Sequence, residues 1–393
     1  MTKKWRNLFC AWILCVSILF SLTVPVSAEE NTPAFSVEAP EYVLMEPETG
    51  TVLLEKDKDV RRSPASVTKV MTLLLVFEEI EKGNLKLDDM VTTSAHAKSM
   101  GGSQVFLEEG ETQTVETMLK CIVIASGNDA SVAMAEHIAG SESEFVNAMN
   151  KKAEALGMKN THFKDCCGLT DSDDHYTTAY DIALMSRELI SRYPEILNYS
   201  SVWMDTITHN TKQGSKEFGL SNTNRLIRTY EGCVGLKTGS TSKAKFCVSA
   251  VAKRKGITLI AVVMAAPDSR TRVKDASALF DYGFAKCSLY RDENPGKLPE
   301  LKVTKGVKEK TSLAFGKTFR CLSTDGTPFD KVKKKLVLPK ETEAPVKKGQ
   351  KAGELIYYQD NRELGRIPVI YTENVKKAGY LDWLKQTAKE FCL

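Results

Sequence analysis

The chain has 393 residues, with 54 Lys and Arg against 50 Asp and Glu, a formal net charge of +4. Its first 28 residues carry three of the basic side chains and no acidic one, which leaves the rest nearly neutral at 51 against 50. That balance gives nucleic-acid binding no support, and the length, with 42% apolar residues, suits two domains that each bury a core.

Lys3, Lys4 and Arg6 form a basic head, residues 8–22 an apolar stretch, and Val26-Ser27-Ala28 a small-residue cleavage site. This is the pattern of a secretory signal over residues 1–28. The apolar core is short for a full span, which favours cleavage over an uncleaved anchor. Cys10 and Cys15 fall inside it without forming a lipoprotein-type site. Residues 29–39 read as a polar tether, and 42–54 as a hairpin around Glu46-Pro47-Glu48-Thr49-Gly50.

A helix is predicted from Ser66 to about Glu81, closed by Lys82-Gly83. Val70, Met71, Leu73, Leu74, Leu75, Val76 and Phe77 leave it hardly any polar face. A helix apolar all round belongs in the middle of a domain, so its start should open onto the floor of a cleft. Helical patterns recur at 115–125, 129–140, 142–156 and 178–191, and strand patterns at 233–240, 244–253 and 257–266. Strands at both ends with helices between predict a sheet whose edges meet early and late in the chain, with a final helix over 275–283 packed back on it.

After Cys287 the composition changes. Residues 291–296 read as a linker, and the Lys-rich runs at 311–320, 331–338 and 354–358 alternate like strands of a small β-domain, with 339–350 as a loop. Tyr380, Leu381, Leu384, Ala388 and Phe391 then return at helical spacing, with Lys376, Lys377, Lys385 and Lys389 around the wheel and Trp383 at the apolar edge. A basic amphipathic helix of this kind lies in a bilayer interface; the competing reading docks it on the β-domain. The expected domains are 1–28 (signal), 29–287, 292–374 (β-rich) and 375–393 (helix).

Eight cysteines follow the signal: Cys121, Cys166, Cys167, Cys233, Cys247, Cys287, Cys321 and Cys392. They are dispersed through apolar segments, so buried free thiols compete with a disulfide framework. No Cys/His ligand spacing is present, and neither a metal nor a cofactor is expected.

Three short stretches carry chemistry. In Ser66-Val67-Thr68-Lys69 a helix brings a hydroxyl and an amine onto one face. Ser66 is a weak nucleophile until something accepts its proton. Lys69 accepts it only when neutral, a state favoured by burial and by a second cation such as Lys237. The helix start adds positive potential at the reacting oxygen. Ser126-Gly127-Asn128 offers a hydroxyl to relay a proton to a leaving amine and an amide to orient a substrate and hold Lys69. In Lys237-Thr238-Gly239 the cation and hydroxyl suit a substrate carboxylate, and Gly239 lets a substrate lie close against the strand. The amides of Ser66 and Ser240 are placed to form an oxyanion hole. Alone, each stretch has a plainer reading: a helix cap, a turn, a strand end. All three in this order are the set found in penicillin-binding proteins and serine β-lactamases.

With Pro64-Ala65 before the first motif, Asp129-Ala130 after the second, the Gly168-Leu169 to Tyr176-Thr177-Thr178-Ala179 loop, Asn222-Thr223-Asn224, and Gly235-Leu236 before the third, most of the chain resembles the low-molecular-mass penicillin-binding D-alanyl-D-alanine carboxypeptidases of serine peptidase family S11. The resemblance implies an α/β (α+β) fold of the serine β-lactamase/transpeptidase type, with antiparallel sheet and helices, then an all-β domain and a C-terminal amphipathic helix. It also implies removal of the terminal D-Ala from peptidoglycan pentapeptides, capture by β-lactams, and residence on the outer face of the cell membrane. By analogy Ser66 is the nucleophile, Lys69 the base and Ser126 the second catalytic hydroxyl, while Asn128, Lys237, Thr238, Gly239, Ser240 and an Arg bind substrate. Arg272 matches that Arg best, with Arg270 as the fallback. Ser240 stands where some relatives have His.

Two rivals remain. A class A-like β-lactamase needs a deacylating Glu in E-x-x-L-N, and Glu195-Ile196-Leu197-Asn198 is one residue short of it. A non-catalytic peptidoglycan-binding protein would be expected to have lost motif residues, and none is missing here.

Overall fold

In the computed structural model, residues 35–212 and 214–391 are described, apart from the side chains of 385–387 and 389–391. The expected signal, with Cys10 and Cys15, lies outside the described residues, as does Cys392. Val37–Leu393 is one compact unit, and the rest of this section concerns it.

Its centre is a five-stranded antiparallel sheet. β1 (Glu41–Glu46), β2 (Thr51–Lys56), β3 (Cys233–Thr241), β4 (Lys245–Arg254) and β5 (Ile257–Ala266) lie in the order β2-β1-β5-β4-β3. The first strand of the chain therefore pairs with the last of the set, Val43 opposite Val262. The edges meet early and late, as the order of strand and helix patterns predicts. Alternate residues of each strand point to opposite faces. Leu44, Val248, Ala250, Leu259 and Ala261 pack under Ala276, Leu279 and Phe280 of the helix Ser269–Lys286. Val43, Met45, Val251, Ile260 and Val262 join the larger core on the other side.

That larger core surrounds α1 (Lys69–Glu81), whose residues from Lys69 to Glu78 are all buried. Around it stand α2 (Val115–Val123), α3 (Asn128–Ala139), α4 (Glu142–Ala155) and α5 (Ala179–Arg192). A hairpin of Met204–Thr211 with Gly214–Ser221 has no counterpart among the predicted elements. Its Thr, Ser, Lys and Gly residues hide the period-2 signal.

The segment read as a linker begins inside ordered structure. Ser288–Arg291 pairs with Arg320–Ser323, and the buried Asp292 carboxylate accepts from Tyr357 Oη and Lys334 Nζ, both at 2.8 Å. The remaining strands form small sheets, chiefly a four-stranded one that includes Lys351–Gln359 and Arg362–Tyr371. The stretch 339–350, read as a loop, contributes Glu341–Glu343, parallel to Leu301–Thr304. Arg320 ties this part to the central sheet by donating to the Gly256 carbonyl at 2.7 Å. A last helix, α6 (Tyr380–Phe391), leaves Tyr380, Leu381, Trp383 and Leu384 exposed. No described helix is long and apolar enough to cross a membrane. The seven described cysteines are free thiols, and six are buried.

Candidate active site

The first motif is wound more tightly than an α-helix. Ala65–Thr68 forms a 3-10 turn, entered by Ala65 at φ +47°, and α1 begins only at Lys69. A left-handed non-glycine residue is costly and persists only where its surroundings enforce it. Neither the turn nor α1 has a side-chain cap, which removes the capping reading of Ser66.

Lys69 is fully buried. Its Nζ contacts Ser66 Oγ at 3.1 Å, Asn128 Oδ1 at 2.6 Å and the Cys167 carbonyl at 2.8 Å. Asn128 Nδ2 donates to the Gly101 carbonyl at 2.7 Å, which keeps Oδ1 turned toward Lys69. Two of the three partners are acceptors without a hydrogen. A neutral amine spends both N–H bonds on them, and its lone pair faces the Ser66 hydroxyl. Burial pushes Lys69 below its usual range, against the opposing pull of Cys167, Cys166, Asp165 and Asp129.

Ser126 sits in the turn between α2 and α3 at φ +63° and is buried. Lys237 Nζ donates to Ser126 Oγ at 2.9 Å and to the Thr238 carbonyl at 3.0 Å. Burial holds the Lys237 amine well below its ordinary range, and the charges of Lys69 and Arg272 lower it further. Of the two causes expected to lower Lys69, burial and a second cation such as Lys237, burial leads at both amines, and the repulsion between the two shows at Lys237.

Thr238 Oγ1 donates to Thr223 Oγ1 at 2.7 Å. Thr223 is held between two buried asparagines, with Asn222 Nδ2 on the Val202 carbonyl at 2.7 Å and Asn224 Nδ2 on the Gly235 carbonyl at 3.0 Å. Gly239 is glycine for a different reason than expected. A Cβ there would stand 2.7 Å from the Pro64 carbonyl oxygen and 2.8 Å from the Ser66 amide nitrogen. Its missing side chain admits the Ser66 turn, not a substrate. Ser240, next along β3, is exposed.

Arg272 lies in the first turns of Ser269–Lys286 and is buried; its Nη1 donates to the carbonyls of Gly239 at 3.3 Å and Cys247 at 3.2 Å. Its Nε is buried without a partner. Arg270 is exposed, and its backbone N–H bonds to Asp268 as part of the helix cap. The guanidinium beside the Lys-Thr-Gly strand is that of Arg272.

The opposite wall is a loop that sequence reasoning marked from Gly168-Leu169 to Tyr176-Thr177-Thr178-Ala179, without a role for the residues just before it. The Asp165 carboxylate gathers the amides of Cys167, Gly168 and Thr170. Thr72 Oγ1 donates to the Cys166 carbonyl at 2.5 Å, and His175 Nε2 meets Thr68 Oγ1 at 2.9 Å. The Cys167 carbonyl, which holds Lys69, left no sequence signal because it is a main-chain atom. Glu195, the would-be deacylating residue, is exposed at the start of Ile196–Ser200 and lines a cavity with Phe77 and Ile80. Phe77 is eleven residues along from Ser66, about 16 Å by helical rise, so Glu195 does not serve this cleft.

A sheet flanked by helices, with Ser-x-x-Lys, Ser-Gly-Asn and Lys-Thr-Gly converging on a buried lysine, defines the penicillin-recognising serine hydrolase class. Within it, residues 26–268 match the D-alanyl-D-alanine carboxypeptidase family (peptidase S11), and residues 290–377 match the penicillin-binding protein 5 C-terminal domain. The chain belongs to the S11 family. It is 44% identical to D-alanyl-D-alanine carboxypeptidase DacF of Bacillus subtilis, over 91% of each chain. It is 33% identical to DacC of Escherichia coli, over 90% of this chain and 88% of that one. Among solved structures, penicillin-binding protein 5 of Haemophilus influenzae is 30% identical with a TM-score of 0.64, covering 87% of this chain and 98% of that chain. A point mutant of the Streptomyces K15 DD-transpeptidase is 31% identical with a TM-score of 0.60, covering 64% of this chain and 99% of that chain.

Proposed function

We infer that this serine-type D-Ala-D-Ala carboxypeptidase removes the terminal D-alanine of peptidoglycan pentapeptides through an acyl-enzyme on Ser66. One observation carries the assignment: buried Lys69 Nζ lies 3.1 Å from Ser66 Oγ with the acceptors Asn128 Oδ1 and the Cys167 carbonyl as its other two partners, so that an amine that has lost its proton turns its lone pair to the Ser66 hydroxyl.

Ser66 Oγ attacks the carbonyl of the penultimate D-Ala while Lys69 takes the hydroxyl proton. The Ser66 amide lies in the first turn of a helical segment, where N–H groups have no intrahelical acceptor, and with the Ser240 amide it stabilises the oxyanion. Ser126, bonded to Lys237, passes a proton to the departing D-Ala amine, and the proton that Lys69 took from Ser66 replaces it, so that both groups return to their starting states. Water then hydrolyses the ester and restores Ser66. The substrate's terminal carboxylate is recognised by Lys237, Thr238 and Arg272, a cation-rich group with no carboxylate among the described contacts of the Arg272 side chain. Asn128 and the Gly239-Ser240 edge align the peptide. A β-lactam enters by the same attack, but its amide nitrogen stays tethered after ring opening and the adduct persists.

Product analysis on a pentapeptide muropeptide tests the activity, with loss of one alanine expected. Mass spectrometry after penicillin treatment places the adduct on Ser66. Fast, sustained hydrolysis of a chromogenic cephalosporin would instead indicate a β-lactamase.

The division into a peptidase domain over 29–287, a β-rich domain over 292–374 and a terminal segment over 375–393 is part of the same proposal, as is export by residues 1–28. We assign α6 to the outer face of the cell membrane, where exposed Tyr380, Leu381, Trp383 and Leu384 would enter the interface.

A further inference from the structure

One loop both holds Asn128 and displays an aromatic ring. The Gly101 carbonyl accepts from Asn128 Nδ2 at 2.7 Å, and the Ser103 carbonyl accepts from the Asn128 amide at 2.8 Å. The amides of Val105 and Leu107 donate to the Asp129 carboxylate, Val105 at 3.1 Å and Leu107 at 3.2 Å. Val105 and Leu107 are buried, whereas Phe106 between them takes φ +62° and is 64% exposed. A strained backbone that sets a large apolar ring in water is an observation that points to function. Phe106 follows Ser103 by three residues, which places it within about 10 Å of the Asn128 contact.

The ring is not isolated. Phe106 meets Phe218 of the Met204–Ser221 hairpin edge-on, with centroids 5.8 Å apart, and Phe218 meets His209 at 5.5 Å. Across the hairpin Ile207 pairs with Phe218 and His209 with Lys216, so Phe218, His209 and Lys216 share one face. A cavity of about 420 Å³ opens there, lined by Phe106, Glu108, His209, Lys216 and Phe218 with the hairpin end. Its size fits a small-ligand subsite. His209 is buried, and Nδ1 is committed to the Glu111 carboxylate at 2.8 Å. Its Nε2 is buried without a partner, a ring nitrogen left to a ligand's polar group.

We propose that Phe106, Phe218, His209 and Lys216 form a subsite for the stem-peptide residues that precede D-Ala-D-Ala. The two rings cover the aliphatic part of the peptide and Lys216 meets its carboxylate-bearing position. This rests on the carboxypeptidase reading and assigns the part of the substrate beyond the reacting dipeptide. Lys216 is the exposed cation of a lining that also carries Glu217 and Glu108, the latter paired with Lys98, and three extended residues span about 10 Å, enough to pass from the Asn128 contact to Phe106.

The test compares kcat/KM on the full pentapeptide with that on acetylated Lys-D-Ala-D-Ala, with penicillin acylation of Ser66 followed in parallel. The parent chain is expected to prefer the pentapeptide. Phe106→Ala and the surface change Lys216→Glu are each expected to cut that preference about tenfold through KM, with Phe106→Tyr restoring it. An unchanged preference in both variants, while Ser66 still acylates, overturns the subsite and leaves the carboxypeptidase reading standing. A parent with equal activity on both peptides overturns it too, as does a loss seen only when the pentapeptide carries its disaccharide, which would place the sugar on the rings. Failure of the parent to acylate overturns both readings.

Discussion

Ser66 and Lys69 are three positions apart in sequence and one hydrogen bond apart in space, and the roles proposed for them make opposite mutational predictions from that of Lys237. Ser66→Ala should abolish the penicillin adduct in mass spectrometry while thermal unfolding stays within about 1 kcal/mol of the parent, as for a partly exposed hydroxyl. Lys237→Ala should raise KM for carboxylate-bearing substrates by about a hundredfold and affect turnover less. The pH dependence follows from burial. Folding depresses the Lys69 pKa below its ordinary 10.5, so between the depressed value and 10.5 the unfolded chain binds the extra proton. Stability therefore gains from this group as pH rises through that window, and the cost is fully present below the depressed value. The acylation rate should climb as pH rises to the depressed value and level off within that window, a limb that stopped-flow acylation would record below the free-lysine range. Lys69→Arg, charged throughout, should remove the limb. The motif residues were legible because their spacing carries them. The Cys167 carbonyl was not, since any residue type supplies the same main-chain oxygen, and Thr223 was visible only as a resemblance.

At the scale of elements, the cleft is built by close approach of backbones. The turn at Ser66 is pressed from one side by β3 and from the other by the loop after Asp165. A Cβ on Gly168 would lie 1.8 Å from the Ala65 carbonyl oxygen, and one on Gly239 would lie 2.7 Å from that of Pro64. Gly168, at φ +77°, also adopts a backbone that side chains disfavour. Gly239→Ala and Gly168→Ala should each cost about 1–3 kcal/mol in chemical denaturation and slow acylation about a hundredfold or more by displacing Ser66. Normal acylation in either would show that the turn tolerates displacement. Helices and central strands with clean periodicity were readable, because burial of one face leaves a pattern. The Met204–Ser221 hairpin and the parallel strand Glu341–Glu343 were not. Their polar residues are held by main-chain pairing, which leaves no hydropathy trace. The first motif starts as a 3-10 turn and not as α-helix, a difference set by the contacts of Ala65 and Gly239.

For the whole molecule, the prediction concerns its far end. Deleting the chain from Tyr380 should leave pentapeptide hydrolysis in solution unchanged and should remove binding to anionic phospholipid vesicles in a flotation assay. Retained flotation would move the membrane contact elsewhere. The order of strand, helix and strand patterns, the apolar α1 and the three motifs were determined by sequence alone, because burial and backbone period are local properties of a chain. The tertiary structure decided how strongly burial outweighs charge in lowering Lys69, which arginine faces the Lys-Thr-Gly strand, and why position 239 is glycine. Each depends on atoms far apart in sequence whose desolvation and contact exist only once the sheet and helices have closed around them.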